Sequence, residues 1–282
     1  RTIHFPKLTR RRAGSFIPRF ALPGLLLALL LGLASPAPAA TTNTPAQLFT
    51  RAVKQVVALV EPPAATEART FTATLKLVKN VGVPSEIAFR EAELALQSPD
   101  HLRLAVTGES STATMGRDGQ EVWVHLPAKK FGLMGSPDAP LFAGSSAKDP
   151  APLGPLKLGL PPDLLTVLPL MMDFELLADA PVGGVPCNVL KATIKPEAVE
   201  SFHVPAGTFQ FWLRASDQLP LRIAYRQPPG MDLEVEIVSP RFVAPLAAAA
   251  WKLPAGPGDK IETVSRSHLT RFVSVSLAML GE

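Results

Sequence analysis

The stretch Arg117-Asp118-Gly119-Gln120-Glu121-Val122-Trp123-Val124-His125-Leu126-Pro127-Ala128-Lys129-Lys130 decides what kind of fold this chain adopts. Asp118-Gly119 is a turn dipeptide, because glycine takes a positive φ without steric cost. The residues after it alternate: Val122, Val124 and Leu126 fall on one face, Glu121, Trp123 and His125 on the other. A period of two is that of a strand. Pro127, with no N–H to give a ladder, ends it. If Val122, Val124 and Leu126 line the concave side of a sheet, Trp123 closes its back. With the opposite parity, Trp123 stands in the pocket.

The same period runs outward from this arm. Upstream, Phe71, Ala73, Leu75 and Leu77 alternate with Thr72, Thr74 and Lys76, and Leu102, Leu104 and Val106 share a face. The segment 86–97 changes phase between Phe89 and Ala92, which a bulge near Arg90 and Glu91 reconciles. Residues 111–115 form a weaker strand. Short turns and no helices separate these segments, the pattern of an antiparallel meander. Glu91 and Glu93 read as a solvated edge of it. Further upstream, Leu48, Phe49, Ala52, Val53, Val56, Val57 and Val60 make one stripe at helical spacing. Thr44 is placed to cap that helix, and Pro45 suits its first position.

Downstream the character changes. Residues 136–162 contain Pro137, Pro140, Pro150, Pro152, Pro155, Pro161 and Pro162, an excursion longer than compact domains ordinarily use. It delivers Asp163-Leu164-Leu165-Thr166-Val167-Leu168-Pro169-Leu170-Met171-Met172, a short helix apolar on nearly every side. Such a helix is covered on both sides, as a core helix or as a lid over an apolar cavity. The flexible thioethers of Met171 and Met172 suit a lid. Strands then resume: 174–178, a turn at Gly183-Gly184 into a strand ending at Ile194, 208–216 with Phe211 opposite Trp212, 219–225, and 231–238. In the last, Leu233, Val235 and Ile237 oppose Asp232, Glu234 and Glu236, giving one core face and one water face. Residues 251–256 read as a loop, and the tail 265–282 as helical.

Composition sets the compartment. The 282 residues include 30 prolines, about twice ordinary usage, which favours strands joined by stiff loops. Arg1, Lys7, Arg10, Arg11, Arg12 and Arg19 precede the apolar run Leu25 to Leu33, and Ala37-Pro38-Ala39 follows it. Residues 1–40 therefore read as a cleaved signal peptide of a periplasmic protein. The apolar run is too short to span a bilayer core of about 30 Å. The triple arginine leaves the twin-arginine route open beside the general one. Without the six leader bases, the remaining Lys and Arg are outnumbered by the 24 acidic residues, so nucleic acid is not an expected partner. The single cysteine, Cys187, makes no internal disulfide.

Catalytic signatures are missing. His4, His101, His125, His203 and His268 form no H-x-x-x-H or H-E-x-x-H arrangement, and no G-x-S-x-G occurs. Cys187, behind Pro186 at an apolar strand start, reads as a buried small hydrophobe. His125 beside Lys129-Lys130 reads as solvated. No enzyme activity, cofactor or metal is expected.

The order of these parts resembles a family. An exported chain opens with an amphipathic helix. A meander leads to Asp118-Gly119, Trp123 and Pro127. A loop-and-helix excursion follows, then Gly184-x-Pro186-Cys187-x-x-Leu190, Phe211-Trp212 and Leu219-Pro220-Leu221-Arg222. Over roughly residues 45–260 this is similar to the outer-membrane lipoprotein carrier superfamily (LolA/LolB-like), above all to its uncharacterised periplasmic members. The resemblance implies an α+β fold: a strongly curved, mostly antiparallel half-barrel over residues 41–264. Its concave face is covered by the helix at 44–60 and a lid at 162–172. It implies a monomeric carrier or binding protein for lipid or lipoprotein acyl chains. The cavity would be lined by Leu48, Val56, Val122, Trp123, Val124, Leu164, Leu165, Leu168, Met171, Met172, Phe211 and Trp212. The alternative is an envelope sensor or assembly factor that uses the same fold to bind a protein.

Overall fold

The computed structural model describes residues 43–61, 67–82, 89–108, 112–140, 153–156, 167–203, 205–267 and 269. The expected signal peptide, most of the C-terminal tail, and Leu164 and Leu165 lie outside them.

Helix α1 (Pro45–Val60) begins where the sequence places it. The Thr44 hydroxyl accepts the Gln47 N–H, and the Gln47 side chain accepts the Thr44 N–H in return. This capping box satisfies two donors that would otherwise lack partners at the helix start. The helix buries Leu48, Phe49 and Ala52.

Twelve strands build one open, curved sheet: β1 (Thr70–Val81), β2 (Glu91–Gln97), β3 (His101–Thr107), β4 (Thr112–Asp118), β5 (Glu121–Leu126), β6 (Phe131–Ser136), β7 (Met172–Leu177), β8 (Cys187–Ile194), β9 (Thr208–Arg214), β10 (Pro220–Gln227), β11 (Met231–Val243) and β12 (Lys260–Ser265). A short helix α2 (Pro196–Phe202) links β8 to β9. The spatial order is β12-β6-β5-β4-β3-β2-β1-β11-β10-β9-β8-β7. Two meanders, β1–β6 and β7–β11, thus join where β1 pairs with β11. All pairings are antiparallel except β12 with β6.

Several expectations are corrected. The arm after Asp118-Gly119 is not the last strand before the excursion, because β6 follows it through a 3₁₀ turn at Pro127–Lys129. Strand β12 and helix α2 went unread. Glu91 and Glu93 lie on an interior strand rather than an edge, and Lys76 approaches Glu91. Of the expected lid, residues 162–166 lie outside the described residues, and Leu168–Leu170 form a 3₁₀ turn.

The register sorts side chains onto two faces. One row, Ala73–Leu94–Leu104–Met115–Val124–Leu133, crosses six strands; the next on that side is Phe71–Leu96–Leu102–Arg117–Val122–Gly135. Leu59 and Val60 of α1 pack on Phe71 and Leu96, so these rows form the inner face. Between them runs Thr72–Ala95–Arg103–Gly116–Trp123–Met134, on the outer face. In the other meander, α1 packs Leu48, Phe49 and Ala52 on Leu190 and Leu213, with Leu168, Met172, Phe174 and Phe211 around them.

Candidate functional site

The inner face is not filled evenly. Under α1 the space over β7–β9 is solid core: the Phe49 ring packs at a tilt against Phe174 at 5.0 Å and Phe211 at 5.6 Å between ring centres. Over β3–β5 a cavity of about 300 Å³ remains, bordered by Leu102, Met115, Arg117, Val122 and Val124 from the sheet. Its roof is Leu153 and Leu156 from the Pro-rich excursion, with Leu269 from the chain after β12.

The roof is tied to the turn that opens the β5 arm. The Gln120 side chain accepts the Leu153 N–H at 2.9 Å, donates to the Leu153 carbonyl at 3.2 Å, and accepts from Arg266 at 2.8 Å. Leu156 N–H donates to the Pro99 carbonyl at 2.6 Å. One glutamine therefore anchors two covering segments that are far apart in sequence. Gly135 lets one of them come close: a Cβ there would sit 2.8 Å from Val122 Cγ2, 3.1 Å from Leu269 Cδ2 and 3.2 Å from Arg266 Cα.

Arg117 is the one charged side chain in its row, and it is 8% exposed. Its Nε donates to the Gly119 carbonyl at 2.8 Å. Burial lowers its pKa most; the Asp100 carboxylate acts the other way, and Arg266 adds to the lowering. The Asp100 carboxylate lies 2.9 Å from His101 Nδ1 without a hydrogen bond between them.

The back of the same sheet region is closed by tryptophan. Trp123 lies over Gly116 and donates its indole N–H to the Trp251 carbonyl at 2.7 Å, and both indoles are almost fully buried. Residues 251–256, which read as a loop, thus begin on a core residue. Beside them His125 meets Asp259 at 2.8 Å, and Gly256 N–H donates to the same carboxylate oxygen at 2.6 Å. These two partners, the Gly256 N–H first, hold the Asp259 pKa below its ordinary value. His125 is buried, not solvated as expected.

The structure divides the expected cavity set. Val122 and Val124 border the cavity with their side chains inward. Trp123 borders it only where the sheet itself is the wall, since its indole points to the outer face. Leu48, Leu168, Met172 and Phe211 belong to the solid core under α1. Val56 and Met171 are half-buried and border no cavity described. Trp212 is a correction: its neighbour Phe211 takes the inner face, so Trp212 packs on the outer face with Val182, Cys187 and Leu221, under the Arg222 guanidinium at 5.4 Å. Arg222 also pairs with Glu234 and Glu236, so the expected water face of β11 is a half-buried ion-pair network. Cys187 is buried, and burial raises its thiol pKa. Among the described residues no group of three or more His, Cys, Asp or Glu is placed to hold a metal ion, and no helix is long and apolar enough to cross a membrane.

Sequence reasoning missed Leu102, Met115, Arg117, Leu153, Leu156 and Leu269. A signal for Arg117 was present: Ala113, Met115 and Arg117 share one parity on β4, which puts an arginine in phase with inward apolar residues. Leu153 and Leu156 carried none, because they lie outside any periodic segment.

No protein-family model and no curated protein sequence matches the chain. Solved structures do. LprF from Mycobacterium bovis is 11% identical, with a TM-score of 0.41, covering 75% of this chain and 97% of LprF. The Mycobacterium tuberculosis lipoprotein LppX is 10% identical, with a TM-score of 0.42, covering 72% of this chain and 97% of LppX. The Pseudomonas aeruginosa MucA/MucB complex contains a chain 13% identical, with a TM-score of 0.40, covering 78% of this chain and 64% of that one. At these identities and TM-scores neither a residue nor a role is carried across from them.

Proposed function

We propose that this chain is an exported, non-catalytic binding protein that holds apolar chains, such as the acyl chains of a lipid or lipoprotein, on the inner face of its sheet. The cavity between β3–β5 and the leucine roof carries this reading. Its volume of about 300 Å³ is at the lower end of ligand pockets, and aliphatic side chains supply most of its border. Binding there needs no exact polar geometry, since each CH₂ withdrawn from water is worth about 0.8 kcal/mol. Among the described residues Leu153 and Leu156 are attached through Gln120 and the Pro99 carbonyl rather than by a sheet ladder, which makes 153–156 the part able to lift for entry.

Native mass spectrometry of protein purified from the cell envelope tests this. Bound lipid is expected in the unaltered protein and is expected to fall away in Leu153→Trp, which fills the space under the roof. A protein that carries no lipid and takes up no apolar probe overturns the reading. A protein-binding role is the second reading. It is favoured by edge strand β7, where Leu176 and the preceding Leu170 are 48% and 69% exposed. It is the better account if β7 amides gain exchange protection on adding an extended peptide while the cavity stays empty.

A further inference from the structure

The cavity is apolar except at Arg117. That residue is 8% exposed, and a structure that merely needed to fill the row Phe71–Leu96–Leu102–Arg117–Val122 would use an aliphatic residue, which needs neither an acceptor nor water. Nε is satisfied by the Gly119 carbonyl, but the two terminal amino groups meet no protein acceptor among the described residues. Asp100 is near enough to favour the charge yet forms no ion pair with it among the described residues. Arg266, 2% exposed and committed to Gln120, adds a second positive charge. The site is thus an apolar chamber with one forked cation in its wall, whose terminal amino groups have no acceptor among the described residues.

From this geometry we infer that the cavity selects an amphiphile with an anionic head, the apolar tail lying between Leu102, Met115, Val124 and the roof leucines, the head accepting both terminal amino groups of Arg117. This rests on the apolar-chain reading above and narrows it. A guanidinium presents parallel donors to a carboxylate or phosphate oxygen pair, and a charge-assisted pair out of water is much stronger than one at the surface. A neutral head leaves the arginine as it is in the empty protein, and a cationic head is repelled.

The test measures binding of dodecanoate, dodecyl phosphate, dodecanol and dodecylamine to the unaltered protein by titration calorimetry below their micelle concentrations. The acid or the phosphate is expected to bind about ten- to hundredfold more tightly than the alcohol, and the amine most weakly. The two anionic arms distinguish a carboxylate head from a phosphate head. Equal binding of acid, phosphate and alcohol overturns the anionic selection and leaves the apolar-chain reading standing; binding of none overturns both. Arg117→Gln is expected to remove the preference for the acid and the phosphate over the alcohol, and Arg117→Lys to keep part of it. An anion preference that survives in a folded Arg117→Gln protein also overturns the inference. The preference of the unaltered protein decides if that variant does not fold.

Discussion

Single residues determine which side of the sheet can hold a ligand. Trp123 occupies the outer face because Gly116, its partner on β4, has no side chain to displace it. A Cβ at Gly116 would lie 2.3 Å from Trp123 Cζ2 and 2.8 Å from the Leu102 carbonyl oxygen. Gly116→Ala is therefore expected to destabilise the fold by about 1–3 kcal/mol, the usual cost of overpacking, read from the midpoint of chemical denaturation. Asp259 governs the neighbouring outer-face segment. Its folded pKa is depressed by the Gly256 N–H and His125, so its contribution is present above the unfolded carboxylate pKa of about 3.9 and is lost as pH falls through the lower folded value. The difference in melting temperature between the protein and Asp259→Ala is expected to be smaller at about pH 3 than at about pH 6. Thermal scans across that window check it. Residue identity made Trp123 conspicuous in the sequence, but not its partner: a glycine that accommodates an indole reads as weak strand.

Elements were legible where local rules sufficed. Thr44, Pro45 and Gln47 specify the start of α1 by themselves, and strict alternation specifies β1, β3 and β5. Strand β6, Phe131-Gly132-Leu133-Met134-Gly135-Ser136, carries two glycines and no β-branched residue, so nothing local marks it as strand. It is held by β5 on one side and β12 on the other. The covering segments were less legible. Helical apolarity pointed to residues 162–172, of which the described Leu168 and Met172 pack beside α1, while the roof residues at 153–156 have no period at all. Phe49 shows how firmly α1 is seated. Phe49→Ala is expected to cost about 3–5 kcal/mol in stability, since it removes a buried ring from contact with Phe174 and Phe211. Its cavity-binding constants for apolar probes, measured well below the melting temperature, are expected to stay within about twofold, because sites without shared partners act independently.

At the scale of the whole molecule, the sheet is two meanders joined by one seam. Strand β1 is hydrogen-bonded to β2 on one side and β11 on the other, so neither half exists without a shared strand. Unfolding is expected to be one cooperative transition. The tryptophans provide the check: Trp123 and Trp251 lie in the first half and Trp212 in the second. Fluorescence of Trp212→Phe and of a Trp123→Phe, Trp251→Phe double variant is expected to follow the same transition as circular dichroism within each protein. Separate midpoints for the two probes would mean that the halves unfold independently. The sequence by itself determined the helix start, the strand alternation, the mainly antiparallel meander and the pairing of Trp123 with the face opposite Val122, because each depends on neighbours within a few residues. Tertiary structure alone decided which face is inner, where the core is solid and where it is hollow, and that Arg117 stands in the wall of that hollow. Those outcomes depend on rows of residues from six strands, and on Gln120 binding Leu153 and Arg266 across the chain, contacts whose partners no local period can name.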